Sequence, residues 1–310
     1  MILLTGATGF VGRALVPRLV DMGVEVRCLI RPSNKNPRLM AGVPVQVAIG
    51  SLTEFRAVRA SLVGVDTVIH LAGVRRGGSH AELMKVDYDG SRKLLDAAVE
   101  AGVRRIVYLS HLGADRASAY RVQKVKGLIE EFIRKSGIAH TIIRSALLYG
   151  EEDQFTNTLA MMLHSSLPFF LPLNGQVQLQ PLWVEDLVTC IEWSLDDIGY
   201  INQTYSIGGP EYLTLKQISE HVMERTGRRR SHVPLPAPYL RLLLRMAESA
   251  FPHWPVPADW LDYFAVNRTC ELHSVTRFFG IKPAQFNHKT GYLSDHNWRS
   301  KFSQVILGRA

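Results

Sequence analysis

The chain opens on a short apolar run, Met1 to Leu4, followed at once by Thr5-Gly6, the pattern of a buried strand ending in a glycine turn. Aliphatic and β-branched runs recur at 25–30, 44–48, 66–71, 105–110 and 140–144. Between them, apolar residues repeat at helical spacing over 11–22, 54–62, 81–101 and 118–136. Continuously apolar strands that alternate with amphipathic helices predict βαβ units, and therefore a parallel sheet covered on both faces. Right-handed crossovers make that an α/β fold with a doubly wound parallel (Rossmann) sheet.

After Gly150 the alternation fails and prolines punctuate the chain, from Pro168 and Pro172 through Pro234, Pro236 and Pro238 to Pro257. Helical spacing persists at 155–165, 184–195, 214–226 and 238–249. The pattern predicts a dinucleotide-binding Rossmann domain over 1–150, its sheet completed by part of 175–210. A smaller mixed α/β lobe over 151–310 would serve a substrate or a partner.

Composition narrows the class without choosing a function. The 310 residues are 46% hydrophobic and 21% charged, as in ordinary globular proteins. No apolar run approaches the roughly 18 residues that a bilayer crossing needs. Cys28, Cys190 and Cys270 lie far apart without metal-ligand spacing, which points to a reducing compartment. A first strand that begins at Met1 leaves no room for a leader, so a cytoplasmic location is the expectation. The net charge of +8 is uneven: from Glu220 onward 13 Lys and Arg face 7 Asp and Glu, so +6 lies in the last third. No nucleic-acid motif accompanies that excess. It points to an acidic substrate, a partner protein or a membrane surface, with peripheral association at an inner membrane as one outcome.

The strongest chemical signal is Thr5-Gly6-Ala7-Thr8-Gly9-Phe10-Val11-Gly12, between a predicted strand and a predicted helix. Gly6 permits the tight turn, Gly9 lets a pyrophosphate approach the backbone, and Gly12 lets the helix pack closely on the sheet. The phosphates would sit where the helix offers free N–H groups and the positive end of its dipole. Gly6, Thr8, Gly9, Phe10, Val11 and Gly12 are therefore the expected cofactor contacts. The second strand runs Val26-Arg27-Cys28-Leu29-Ile30-Arg31, with Arg31 where an acidic residue would bind the ribose of NAD and Lys35 close behind. Those two cations predict NADP, with NAD as the alternative.

Further segments carry a family resemblance over nearly the whole chain. Val68-Ile69-His70-Leu71-Ala72-Gly73, Tyr120-Arg121-Val122-Gln123-Lys124 and Trp183-Val184-Glu185-Asp186-Leu187, together with the glycine motif, resemble the short-chain dehydrogenase/reductase superfamily in its extended and atypical branches. The stretches Ser110 to Ala114 and Arg144 to Phe155 are most similar to the atypical group, which includes the NADPH-binding accessory subunit of respiratory complex I and its bacterial relatives. The resemblance implies that Leu71, Ala72 and Gly73 pass under the nicotinamide ribose and that Lys124 holds that ribose. It also implies that Tyr120 exchanges a proton with a substrate oxygen. A lysine one helical turn from a tyrosine favours the phenolate, which otherwise forms only near pH ~10.

Departures from the family pattern cluster at the chemistry. The residue that positions the substrate oxygen is either Ser110 or His111. Ser51 stands where an Asp usually meets the adenine, Asp87 where an Asn is usual, and Ser145 replaces the proline of Arg-Pro. The resemblance implies an NADP(H)-dependent oxidoreductase acting on a small-molecule carbonyl or alcohol, or a relative of the epimerases and dehydratases. The alternatives are a non-catalytic NADPH-binding accessory protein of a membrane complex, or a redox sensor.

Other signals are weaker. The eleven histidines show no helical metal-ligand pair, so no metal is expected, and no Gly-x-Ser-x-Gly elbow is present. Arg228-Arg229-Arg230 reads as a solvated helix end. The segment Tyr239 to Ala250 reads as a lid over the substrate lobe, with an interfacial membrane helix as the second reading.

Overall fold

Six short strands, β1 (Ile2–Thr5), β2 (Val26–Ile30), β3 (Gln46–Ile49), β4 (Thr67–His70), β5 (Arg105–His111) and β6 (Ala139–Ser145), are joined by a seventh at Gln203–Ile207. They form one parallel sheet in the order seventh, β6, β5, β4, β1, β2, β3. The structure is a computed structural model and describes all residues except 33–41, 74–79, 234 and 309–310. Leu3, Leu4, Val68, Ile69, Ile106 and Ile142 are buried in the strands. Each such side chain contributes about 1.5–3 kcal/mol by leaving water, which explains why the apolar runs announced these strands so clearly.

Two compact units share the chain: Met1–Ser145 with Val184–Ile207, and Ala146–Trp183 with Gly208–Ala310. In the first, helices α1 (Phe10–Asp21) and α7 (Val184–Asp196) pack together on one sheet face, with Arg18 Nε and Nη2 donating to both carboxylate oxygens of Glu192 at 2.8 and 2.7 Å. On the other face lie α2 (Phe55–Ser61), α4 (Gly90–Glu100) and α5 (Arg121–Lys135). The single helix expected over 81–101 has three parts: one turn α3 (His80–Glu82), a π-helical stretch Leu83–Asp89, and α4. Such wide turns are rare and collect at functional sites; this one carries Asp87.

The second unit is mixed: among the described residues, its helices are joined by three two-stranded sheets, Leu148–Tyr149 with Leu182–Trp183, Gln178–Leu179 with Leu213–Thr214, and Phe169–Phe170 with His232–Val233. Helix α6 (Phe155–His164) packs against α8 (Leu215–Thr226) around a core that includes Tyr149, Phe155, Trp260, Phe286 and Trp298. Buried Asp153 caps α6: its carboxylate accepts from the backbone N–H groups of Gly150 and Thr156 at 2.9 and 2.6 Å. Helix α9 (Ala237–Ala250) buries Leu240 and Leu244 against Val256, Ala258 and Leu261. Among the described residues, no helix is long and apolar enough to cross a membrane.

Candidate dinucleotide site

Strand order reverses between β1 and β4, and the site grows from the carboxyl ends of those two strands. The glycines there answer to three separate demands. Gly6 has φ 82°, and a Cβ on it would lie 2.7 Å from the backbone nitrogen of Ala72 and 2.8 Å from the carbonyl carbon of Leu71. The turn after β1 therefore runs directly against the exit of β4. A Cβ on Gly12 would lie 2.3 Å from the Gly6 carbonyl oxygen, so only glycine lets α1 start this close to the sheet. Gly9 is the residue before α1, in extended geometry with no side-chain cap, and its N–H donates to Gly6 O at 2.9 Å. The first-turn N–H groups of Phe10, Val11 and Gly12 are left for an outside acceptor. Thr8 and Gly9 are exposed, Phe10 half-buried, and Val11 and Gly12 buried. An uncapped helix start over a cradle that any Cβ would fill fits a dinucleotide pyrophosphate. Exposed Arg31 directly follows β2; Lys35 lies outside the described residues.

Strand register then builds a polar cluster inside the sheet. Thr5 pairs with His70 across β1 and β4, and His70 with Tyr108 across β4 and β5. Thr5 Oγ1 is hydrogen-bonded to His70 Nδ1 at 2.6 Å, and His70 Nε2 to Ser91 Oγ at 2.8 Å. The His70 ring stacks on Tyr108 with centroids 5.4 Å apart. Burial, and secondarily the Lys126 ammonium, hold the His70 imidazole down at about 3, so it is neutral near pH 7. Burial also pushes the Tyr108 phenol well above its ordinary range, with Asp87 and Glu130 adding to the effect. The Tyr108 hydroxyl is buried without a hydrogen-bond partner among the described residues.

Helix α5 departs from the expected register of the tyrosine and lysine. The pair was expected to share a face inside one helix. Instead α5 begins at Arg121, and Tyr120 is its half-buried N-cap in extended geometry. Lys124 is exposed. Two residues on, the Lys126 ammonium lies 3.8 Å from Asp87 Oδ2, with side-chain exposures of 7% and 3%. It also lies 5.2 Å from the Tyr108 ring centroid and 3.6 Å from where a Cβ on Gly73 would stand. Lys126, rather than Lys124, is therefore the α5 lysine beside the Leu71–Gly73 segment, and one turn before it stands Val122, 41% exposed.

The helix is set in this rotation by its packing. A Cβ on Gly127 would lie 2.3 Å from the backbone nitrogen of Arg116, and Val125, Ile129 and Ile133 are in the core. Those three apolar positions were the available sequence signal. Lys126 lies just beside the arc they define and Lys124 far outside it.

Ser110 is likewise not presented at an open strand end. It is fully buried, and its hydroxyl donates to Glu130 Oε1 at 2.7 Å. The same buried carboxylate accepts from Arg144 Nε and Nη2 at 2.9 and 2.6 Å and from Arg134 Nη2 at 2.9 Å. His111, the last residue of β5, is half-buried. Gly73 is exposed, with Leu71 and Ala72 half-buried. Among the described residues, no three His, Cys, Asp or Glu side chains converge as a metal site.

Comparison with known proteins adds four findings. A family described as NAD(P)H-binding matches residues 6–164. The chain is 30% identical over 247 residues to the mitochondrial NADH dehydrogenase (ubiquinone) 1 alpha subcomplex subunit 9 of Arabidopsis thaliana, covering 77% of this chain and 61% of that one. It is also 30% identical over 261 residues to sterol demethylase protein B of Methylococcus capsulatus, covering 76% and 77%. In fold it resembles the UDP-glucose 4-epimerase of Thermus thermophilus solved with NAD, with a TM-score of 0.74 at 20% identity over 96% of this chain and 98% of that one.

Proposed function

Because this chain belongs to the NAD(P)H-binding family and is an atypical short-chain dehydrogenase/reductase, we propose that it holds NADP(H) as a binding protein, without tyrosine-assisted turnover. The observation that carries this reading is the register of α5: the buried lysine is Lys126, and Val122 occupies the position one turn earlier. A valine has no proton to exchange. Ser110, the other hydroxyl expected to assist, is committed to Glu130.

In this reading the N–H groups at the start of α1 hold the pyrophosphate, Lys126 holds the nicotinamide ribose, and Arg31 meets the 2′-phosphate that distinguishes NADP from NAD. Asp87 keeps Lys126 in place from the π-helical turn. A nicotinamide bound there would be able to supply or accept a hydride, a capacity this reading leaves unused. The similarity to a subunit of a mitochondrial NADH dehydrogenase supports a place in a larger assembly, and in such a place a bound nucleotide would stabilise the protein rather than be consumed.

A second reading, an NADP(H)-dependent oxidoreductase on a small-molecule carbonyl, draws support from the similarity to sterol demethylase protein B. It would use Tyr120 as the acid and His111, rather than the sequestered Ser110, to hold the substrate oxygen. One experiment separates the two. Purified protein is denatured to identify its nucleotide, and the native holoprotein is offered a panel of aldehydes and ketones while nicotinamide absorbance is followed. Binding without turnover predicts bound NADPH that survives the panel and a Tyr120→Phe variant with unchanged NADPH affinity. Carbonyl-dependent oxidation that disappears in Tyr120→Phe overturns it.

A further inference from the structure

The outer face of helix α9 is largely apolar, whereas a surface helix of a globular unit ordinarily presents a polar one. Leu240 and Leu244 point into the second unit, yet Tyr239, Leu242 and Met246 are 62%, 57% and 60% exposed, and Leu243 is exposed as well. The helix is thus apolar on both sides, anchored by one and open to solvent on the other. Phe251, just past its end, continues the exposed surface. Beside α9 lies the turn Pro172–Gly175, where Leu173 is exposed at φ 50°. A left-handed leucine that gains no burial costs about 1 kcal/mol or more, so the surroundings impose its outward aim.

A second feature adjoins this ridge. A groove of about 950 Å³ lies among the 171–176 segment, α8 and the segment 229–233, and Leu171 lines both it and the apolar pocket beneath α9. Its cations are Lys216, Arg229 and Arg230, set against the carboxylates Glu220 and Glu224. Lys216 is 3.9 Å from Glu220, and Arg230 donates to the Ser165 carbonyl at 2.7 Å. On α9 itself Arg245 is exposed, while Arg241 is paired with Asp262. Basic side chains therefore flank an exposed apolar ridge, and all of them but Lys216 lie in the part of the chain that carries +6 of the +8 net charge.

We propose that α9 and the basic groove beside it form a docking surface for an anionic lipid bilayer. The apolar ridge enters the boundary between headgroups and acyl chains, and Lys216, Arg229 and Arg245 meet the lipid phosphates. Charge complementarity selects this occupant. A second copy of the chain docked through the same face would bring like cations together across a two-fold axis. A bilayer offers apolar depth and negative charge side by side, which is the arrangement the ridge and groove present. The proposal holds whether or not the first unit turns over its nucleotide.

Flotation of the full chain with phosphatidylcholine vesicles, with and without phosphatidylserine, tests it. Wild type is expected to float with the phosphatidylserine vesicles and to be released as salt rises. Leu242→Glu/Met246→Glu, at solvent-exposed positions, should abolish flotation. Lys216→Ala/Arg229→Ala should weaken it about 25-fold, at roughly fivefold per lost cation. A thermal midpoint within a few degrees of wild type in both variants shows that they fold. Failure of wild type to float, equal flotation on neutral vesicles, or variants that float like wild type would overturn the proposal. So would a dimer, seen by size-exclusion chromatography, that the α9 variant dissociates.

Discussion

Replacing Lys126 by methionine tests the register of α5 and the nucleotide reading together. The substitution keeps the aliphatic stem and removes the ammonium 3.8 Å from Asp87 Oδ2. Two effects follow, and they must be separated. With both side chains nearly excluded from water, a carboxylate that loses this ion pair costs about 3–5 kcal/mol of stability. The nucleotide also loses one charge-assisted hydrogen bond, about 1.5–3 kcal/mol, or roughly ten- to a hundredfold in Kd. Lys126→Met/Asp87→Asn removes the carboxylate charge as well and should recover most of the stability while leaving the affinity loss in place. His70 does not confuse the outcome: burial is the larger cause of its low pKa, so it stays neutral near pH 7 without Lys126. Lys124→Met, at an exposed position, should bind NADPH within about twofold of wild type. Fluorescence titration with NADPH and urea denaturation measure the two effects. A tenfold loss in Lys124→Met, with the double variant binding like wild type, would refute the assignment.

Three further outcomes are expected. Gly12→Val forces a side chain to within 2.3 Å of the Gly6 carbonyl, so it should destabilise the fold by about 1–3 kcal/mol and weaken NADPH binding at least tenfold; calorimetric titration checks this. His70 is held near 3 in the native protein against an ordinary value of 6.5, so the unfolded chain binds more protons between those pH values. Its contribution is complete above pH ~6.5 and falls by about 1.4 kcal/mol per unit below it, which urea denaturation at a series of pH values should show and His70→Gln should abolish. Glu130→Ala leaves Arg144 and Ser110 without their shared acceptor and should cost about 3–5 kcal/mol; a thermal midpoint unchanged from wild type would contradict that.

The sheet was legible in the sequence because a parallel strand is buried on both faces and must be written as an unbroken apolar run. Ile2–Thr5 and Val26–Ile30 lie within a residue of where those runs place them. Edge strand β3, exposed at three of its four residues, is shifted furthest, from 44–48 to Gln46–Ile49. The glycine cradle was legible for a related reason: Gly6 and Gly12 have backbone neighbours that exclude a Cβ, so the sequence had no other residue to use. What the linear pattern could not decide was rotation. Tyr120 and Lys124 satisfy a spacing, but α5 starts one residue later than that spacing requires, and its rotation is set by Gly127 against Asp115 and Arg116. That close approach turns Lys126 inward. The ties of Ser110 to Glu130 and of His70 to Thr5 and Ser91 likewise join residues far apart in the chain. The exposure of α9 belongs with them, since its leucines look alike in sequence and only packing separates the buried pair from the open ridge. The sequence by itself determined the class of ligand and the scaffold, because local apolar patterning and the steric needs of glycine are properties of short segments. The tertiary structure decided which lysine is buried beside the Leu71–Gly73 segment and which hydroxyl is tied to a buried carboxylate, because those depend on what each side chain meets across the sheet.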